Sequence, residues 1–164
     1  VDYVRGRVDL ANAVIVSPDA GRIRVAEKWS TKLGGCPLAF VHKTRDTTRP
    51  NVAVANRVVG EVAGKECVLV DDMIDTAGTI TEAIKVLTNA GAKKVIVVAT
   101  HGILSDPAVR RLTESGATEV VITDTLPVSA EKRFPSLTIL SIAPLLARAI
   151  LEVFEDGSVT SLFT

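Results

Sequence analysis

Short apolar runs alternate along the chain with segments whose apolar residues recur at helical spacing. The run AVIVS at residues 13–17 is continuous and mostly β-branched, which predicts a strand buried on both faces. The segment that follows, RIRVAEKWSTKLGG, places Val25, Ala26, Trp29 and Leu33 on one helical face and ends in glycine. These two segments therefore predict a strand followed by a helix.

The same alternation continues to the end of the chain. Further strands are predicted at PLAFVH, ECVLVDD, KKVIVVATH, EVVITD and LTILSI. Further helices are predicted at TITEAIKVLTNAG, DPAVRRLTESG and APLLARAILEVFEDG. Because strand–helix–strand crossovers are right-handed, this order predicts an α/β fold: a three-layer, mostly parallel open sheet with helices on both faces.

One connection does not fit this alternation. Residues 43–65, KTRDTTRPNVAVANRVVGEVAGK, form a segment that is too long and too polar for an ordinary loop of an α/β domain. Long connections of this kind often act as lids or binding loops. We expect a projecting hairpin or flexible flap. Lys43 and Arg45 would point the same way if the preceding strand continues outward.

Composition favours the same fold and narrows the function. Of the 164 residues 47% are hydrophobic but only 4% aromatic, which is typical of a parallel sheet covered by helices. Lysine plus arginine and aspartate plus glutamate both total 19, so no net charge points to nucleic acid or a membrane as partner. Two distant cysteines fit a reducing compartment, and no apolar run is long enough to span a bilayer. We expect one cytoplasmic domain over residues 1–164, and the start at Val1 leads us to expect more protein upstream.

The stretch VLVDDMIDTAGTITEAIKVL contains most of the candidate functional residues of the chain. Asp71 and Asp72 follow an apolar strand, and the carboxyl ends of parallel strands face the binding crevice of an open α/β sheet. Small residues at the start of the next helix would leave backbone N–H groups free to bind a phosphate. The residues predicted to form this pocket are Asp75, Thr76, Ala77, Gly78 and Thr79.

A phosphate pocket beside two carboxylates suggests a particular ligand. Carboxylates accept hydrogen bonds from hydroxyl groups and hold Mg²⁺ through its water molecules. A ribose 5-phosphate unit supplies both vicinal hydroxyls and a phosphate. The alternative is that Asp71 and Asp72 are solvated strand-end residues and that Asp75 is only a helix N-cap.

The motif VLVDDMIDTAGT resembles the ribose-phosphate signature of the type I phosphoribosyltransferase fold. Four other segments narrow the likeness to the C-terminal half of ribose-phosphate diphosphokinases, also called PRPP synthetases; they are VSPDAGRIRVA, HKTRDTTRPNV, LPVSAEKRFPSLTILSIAPLLARAI and GSVTSLF. The resemblance covers essentially the whole chain. It implies that residues 1–164 are the C-terminal part of a longer two-domain subunit, in which Asp71 and Asp72 face the ribose hydroxyls and residues 75–79 wrap the 5-phosphate.

The resemblance also implies roles for residues outside this turn. Asp19 would help to hold the Mg²⁺ that accompanies ATP, although a turn aspartate that caps the next helix is an equal alternative. Arg22 stands where the family often has a second glycine. Lys43 and Arg45 would be the main catalytic side chains, closing over the transferred group, and the alternative is a solvated basic hairpin.

The reaction that the resemblance implies is Mg²⁺-dependent transfer of the diphosphoryl group of ATP to the C1 hydroxyl of ribose 5-phosphate, giving PRPP and AMP. It further implies a homohexamer with an allosteric site to which Ser158, Thr160 and Phe163 contribute. The alternative is that these residues belong to a frayed C-terminus.

Two other functions stay open. One is a phosphoribosyltransferase that consumes PRPP, and the other is a non-catalytic regulatory homologue.

Overall fold

The computed structural model describes residues 1–44 and 55–162. Within these ranges seven strands form one sheet in the order β3-β2-β1-β4-β5-β6-β7. The strands are β1 Ala13–Ser17, β2 Leu38–Thr44, β3 Ala55–Val59, β4 Glu66–Ile74, β5 Lys94–Gly102, β6 Glu119–Thr123 and β7 Leu137–Leu140.

Every neighbouring pair of strands is parallel except β2 and β3, which are antiparallel. The β2–β3 pair runs from Phe40 opposite Val59 to Thr44 opposite Ala55, so it is a hairpin at the edge of the sheet. The predicted hairpin in residues 43–65 is therefore confirmed at its base. The predicted segment between the two strands, residues 45–54, lies outside the described residues.

Five α-helices are present in the described part of the chain. They are α1 Asp2–Arg5, α2 Ile23–Lys32, α3 Gly78–Asn89, α4 Ala108–Thr113 and α5 Ala143–Phe154. Short 3₁₀ turns occur at Leu10–Asn12, Ala20–Arg22, Ala130–Lys132 and Val159–Leu162. No helix among these residues is both long and apolar enough to cross a membrane.

The sheet separates two hydrophobic cores. In β4 the side chains alternate between them: Cys67 and Leu69 belong to one core, and Val68 and Val70 belong to the other. The first core includes the buried faces of α3 and α4, and the second includes those of α1 and α2. A strand with both faces buried reads as a continuous apolar run, as predicted, and the three-layer α/β architecture is confirmed.

Helix α3 shows how the sequence pattern becomes packing. Its residues Ile80, Ala83, Ile84 and Leu87 recur at helical spacing and are each at most 2% exposed. Helix α5 has the same kind of pattern, but none of its residues is buried. Leu146, Ile150 and Phe154 of α5 are 51%, 69% and 86% exposed.

Candidate functional site

The predicted site residues at the end of β4 and in the segments after β1 and β4 meet at the carboxyl edge of the sheet. The two strands are adjacent and parallel, with Val16 opposite Leu69, so the segments that follow these positions leave the sheet side by side. A cavity of about 220 Å³ opens there, and it is lined by Asp19, Arg22 and every residue from 71 to 80. The structure therefore brings Asp19 and the predicted sugar-phosphate residues into one pocket.

The paired carboxylates lie within β4, which continues to Ile74 instead of ending before them. Asp71 pairs with Ala99 of β5, and its side chain is 13% exposed, against 36% for Asp72. The Asp72 N–H donates to Asp71 Oδ1 at 2.9 Å. The pKa of Asp71 is raised to about 6, mainly by burial. The hydrogen bond from the Asp72 N–H lowers this pKa, the Asp72 side chain raises it, and the Arg22 charge lowers it. The two acids therefore differ in their exposure to solvent.

Arg22 reaches into the same cavity from the turn after β1. Its Nη2 lies 2.7 Å from Asp72 Oδ2, and its Nε lies 3.6 Å from Asp71 Oδ1. The sequence marks Arg22 only as a departure from a common glycine and gives no sign of this contact. The signal that could have predicted it is the parallel pairing of β1 with β4, which places the turn after β1 beside the two acids.

The turn between β4 and α3 presents backbone N–H groups to the cavity. Ala77 precedes the helix with φ +60° and ψ +10°, the left-handed region, and no side chain caps the helix. The first N–H groups of a helix have no intrahelical partner, so they are available to an anion. The N-cap of α3 is Ala77, so the alternative in which Asp75 is only the N-cap of this helix is wrong. The Ala77 carbonyl accepts from both the backbone N–H and the hydroxyl of Thr81, each at 2.9 Å.

A second arginine supports this turn from outside. Arg111 of α4 donates from Nη1 to the Thr76 carbonyl at 2.9 Å. The same nitrogen lies 3.5 Å from the position that a Cβ at Gly78 would take. Sequence reasoning missed Arg111, since 35 residues separate it from its acceptor. Arg111 comes close to this turn because α4 packs on the same face of the sheet as α3.

The remaining predicted residues are placed as follows. Asp19 Oδ1 accepts from the Gly21 N–H at 2.8 Å, so it caps the Ala20–Arg22 turn while it also lines the cavity. The backbone of Lys43 lies in β2, but its side chain and all of Arg45 lie outside the described residues. Ser158 and Thr160 are not among the cavity-lining residues, and Phe163 is outside the described ranges.

The donor chemistry of the cavity is compatible with Mg²⁺. Among the described residues no group of three or more His, Cys, Asp or Glu side chains is arranged to hold a metal ion. Mg²⁺ in phosphate-transfer sites usually keeps several waters and takes one or two carboxylates plus substrate phosphates. Asp19, Asp71 and Asp72 supply such carboxylates in one cavity, so the residues fit a metal ion held partly through water and substrate.

Comparison with known proteins places this geometry in a class. The fold is that of the type I phosphoribosyltransferases. An APRTase from Giardia lamblia superposes with a TM-score of 0.55 over 74% of this chain and 76% of its own, at 16% identity. A solved phosphoribosylpyrophosphate synthetase from Mycobacterium smegmatis is much more similar, with a TM-score of 0.81 and 61% identity over 89% of this chain and 46% of its own.

The family is defined by the sequence itself. Residues 44–164 match the model of the phosphoribosyl synthetase-associated domain, so the chain belongs to that family. It is 70% identical to a ribose-phosphate pyrophosphokinase of Bifidobacterium longum over 99% of this chain and 48% of that protein. The chain spans about half the length of the curated relatives it matches.

Proposed function

We propose that this chain is the C-terminal half of a ribose-phosphate pyrophosphokinase, a cytoplasmic enzyme that transfers the diphosphoryl group of ATP to the C1 hydroxyl of ribose 5-phosphate. The products are PRPP and AMP. The observation that carries the proposal is the single cavity in which the β4 acids meet the uncapped start of α3. The names of the similar B. longum and M. smegmatis proteins support it.

Each part of the cavity has a task in this reaction. The N–H groups at the start of α3, with the Thr76 and Thr79 hydroxyls, bind the 5-phosphate. Asp71 and Asp72 accept hydrogen bonds from the ribose hydroxyls and so fix the sugar ring. Because both sets of groups sit on β4 and its turn, they hold the sugar in one orientation, which lowers the entropic cost of reaction.

Mg²⁺ would supply neutralising charge for the phosphates of ATP, with Asp19 among the residues that hold it. Lys43 and Arg45 would close over the transferred group. Their cationic heads would stabilise the charge that spreads over the moving and leaving oxygens, and the closed flap would exclude water. No covalent enzyme intermediate is needed, because positioning and electrostatics suffice for this chemistry.

The experiment requires a full-length protein. The chain should be fused to the first half of the B. longum relative, since the two are 70% identical in the shared half. Incubation with ATP, Mg²⁺ and ribose 5-phosphate should yield equal amounts of AMP and PRPP. We expect the isolated chain to fold but to form no PRPP. Absence of AMP from a folded fusion that binds both substrates would refute the proposal.

Two variants test the flap in the same fusion. Lys43→Ala and Arg45→Ala should each lower turnover by about 100-fold or more, with smaller effects on KM, because both groups act mainly on the transition state. Arg57→Ala in β3 removes a cation from the base of the same hairpin and serves as control. Near-normal turnover in both variants would show that the segment is only a solvated basic hairpin.

The same assay separates the two other functions. A phosphoribosyltransferase would consume PRPP with a nucleobase and release diphosphate, whereas a non-catalytic homologue would do neither. The fold alone is compatible with all three functions.

We also propose a hexameric assembly for the full-length protein, which mass photometry of the fusion would test.

A further inference from the structure

We propose that Arg22 is an internal counter-cation for the two acids of β4, and that it makes sugar-phosphate binding at this site less dependent on a divalent metal ion. The inference rests on the proposed function, because it concerns the same sugar-phosphate site. It assigns a role to a residue that would otherwise be only a departure from glycine.

The geometry of the contact is specific. Arg22 spans both acids, with Nη2 at 2.7 Å from Asp72 Oδ2 and Nε at 3.6 Å from Asp71 Oδ1. A guanidinium group carries donors in a fixed fork, so it can hold two carboxylates at once. The Arg22 side chain is 41% exposed, so it can move away from the acids without breaking the core.

The charge around the contact explains what Arg22 could do. The cavity contains four aspartates, namely Asp19, Asp71, Asp72 and Asp75, and Arg22 is the single arginine or lysine in its lining among the described residues. A dianionic sugar phosphate that enters this cavity is repelled by the carboxylates. Arg22 offsets part of that repulsion, because its guanidinium group brings a positive charge into the cavity.

A divalent cation could provide the same compensation. Arg22 and a metal ion would then compete for the same carboxylate oxygens, since Asp72 Oδ2 is already engaged at 2.7 Å. Loss of Arg22 should therefore have two opposite effects. The cavity should bind a divalent cation more tightly, and it should bind ribose 5-phosphate more weakly when no metal is present.

The test uses the 164-residue chain and three variants. Arg22→Gln removes the charge, and Arg22→Lys keeps it. Arg24→Gln is the matched control, because Arg24 is an exposed arginine on α2 that makes no ion pair among the described residues. Mn²⁺ affinity is measured by electron paramagnetic resonance, and ribose 5-phosphate affinity by calorimetry with and without Mn²⁺. Circular dichroism confirms that each variant is folded.

For Arg22→Gln we expect Mn²⁺ affinity to rise about five- to tenfold, as expected for loss of one nearby positive charge in a partly exposed site. The gain in sugar-phosphate affinity on adding Mn²⁺ should grow by a similar factor. Arg24→Gln should stay within about twofold of the unchanged chain, whereas Arg22→Lys, which keeps the charge but not the fork, should lie between the unchanged chain and Arg22→Gln.

Equal Mn²⁺ affinity in Arg22→Gln and Arg24→Gln, or no measurable Mn²⁺ binding in either, would overturn the inference. A chain that binds Mn²⁺ as expected but never binds ribose 5-phosphate would instead contradict the proposed sugar site. The two failures are therefore distinguishable. If Arg22→Gln does not fold, Arg22→Lys together with Arg22→Met decides the question by the same measurements.

Discussion

Helices α3 and α5 each contain twelve residues and each carry an apolar face, yet the structure uses them differently. Helix α3 buries five residues against the sheet, whereas α5 buries none among the described residues. The start of α3 also lines the candidate site, so the better-packed helix of the two is the one that positions this cavity. Helical spacing predicts an amphipathic helix, but it does not say what covers the apolar face.

The largest expected difference between the two regions is in stability. Leu87→Ala in α3 should lower the free energy of unfolding by about 2–5 kcal/mol, because Leu87 is 0% exposed and its loss leaves a cavity. Leu146→Ala in α5 is the matched control and should cost less than about 0.5 kcal/mol, since Leu146 is 51% exposed. Urea unfolding of the 164-residue chain measures both. Equal losses would show that α5 is covered in solution.

The second difference concerns ligand binding. Asp72→Ala and Thr79→Ala each remove a side chain that lines the cavity in which we propose that the sugar phosphate binds. Each should weaken ribose 5-phosphate binding by about tenfold or more, as for loss of a hydrogen bond to a charged group. Thr160→Ala removes a hydroxyl from the C-terminal region and should change this affinity by less than twofold. Calorimetry on the chain would check all three. Unchanged affinity in both site variants would show that the ligand binds elsewhere.

Much of this site is predictable from sequence, for a physical reason. The strand, the paired acids, the small-residue turn and α3 are consecutive, so local patterns are enough to place Asp71, Asp72 and residues 75–79 together. Arg22 and Arg111 reach the site from distant segments, and no local pattern indicates where their long side chains go. The exposure of α5 is equally unpredictable, because burial depends on what packs against the helix.

The two regions should also respond to pH with opposite signs. Burial raises the pKa of Asp71 to about 6, so its protonated form is favoured in the folded state, and its contribution to stability is lost as pH rises from about 4 through 6. Asp124 follows β6 and accepts a hydrogen bond from the N–H of Ile142, the N-cap residue of α5. This bond lowers the pKa of Asp124, so its contribution to stability is lost as pH falls.

Asp71→Asn should therefore reduce the loss of stability between pH 4 and pH 7 by about 1–2 kcal/mol relative to the unchanged chain. Asp124→Asn should change the pH dependence in the opposite direction. Urea unfolding across this pH range measures both effects. If the Asp71→Asn chain loses as much stability with rising pH as the unchanged chain, the carboxylate is not buried as the structure describes.

A smaller effect is expected at Arg111, which supports the turn before α3 without lining the cavity in which we propose that the sugar phosphate binds. Arg111→Ala removes the donor to the Thr76 carbonyl and should weaken ribose 5-phosphate binding by about three- to tenfold, corresponding to about 1 kcal/mol for one hydrogen bond. Arg110→Ala on the same helix is the control, because Arg110 is exposed and lies outside that cavity. Calorimetry should give an intermediate value for Arg111→Lys. Equal effects at positions 110 and 111 would show that the weaker binding comes from the loss of positive charge on α4 and not from the loss of the hydrogen bond to Thr76.

The smallest effect on the chain itself is expected in the C-terminal tail, where Ser158 precedes the Val159–Leu162 turn and Thr160 lies within it. Both residues are exposed, so Ser158→Ala with Thr160→Ala should change the free energy of unfolding by less than about 0.5 kcal/mol. Ribose 5-phosphate binding should also be unchanged.

In the full-length fusion, however, we expect the double variant to blunt activation by phosphate or inhibition by ADP. Turnover under saturating substrate should stay unchanged, because the regulatory site that we propose is separate from the catalytic site and coupled to it. Unchanged responses to both effectors in an intact hexamer would show that this tail only packs against α5.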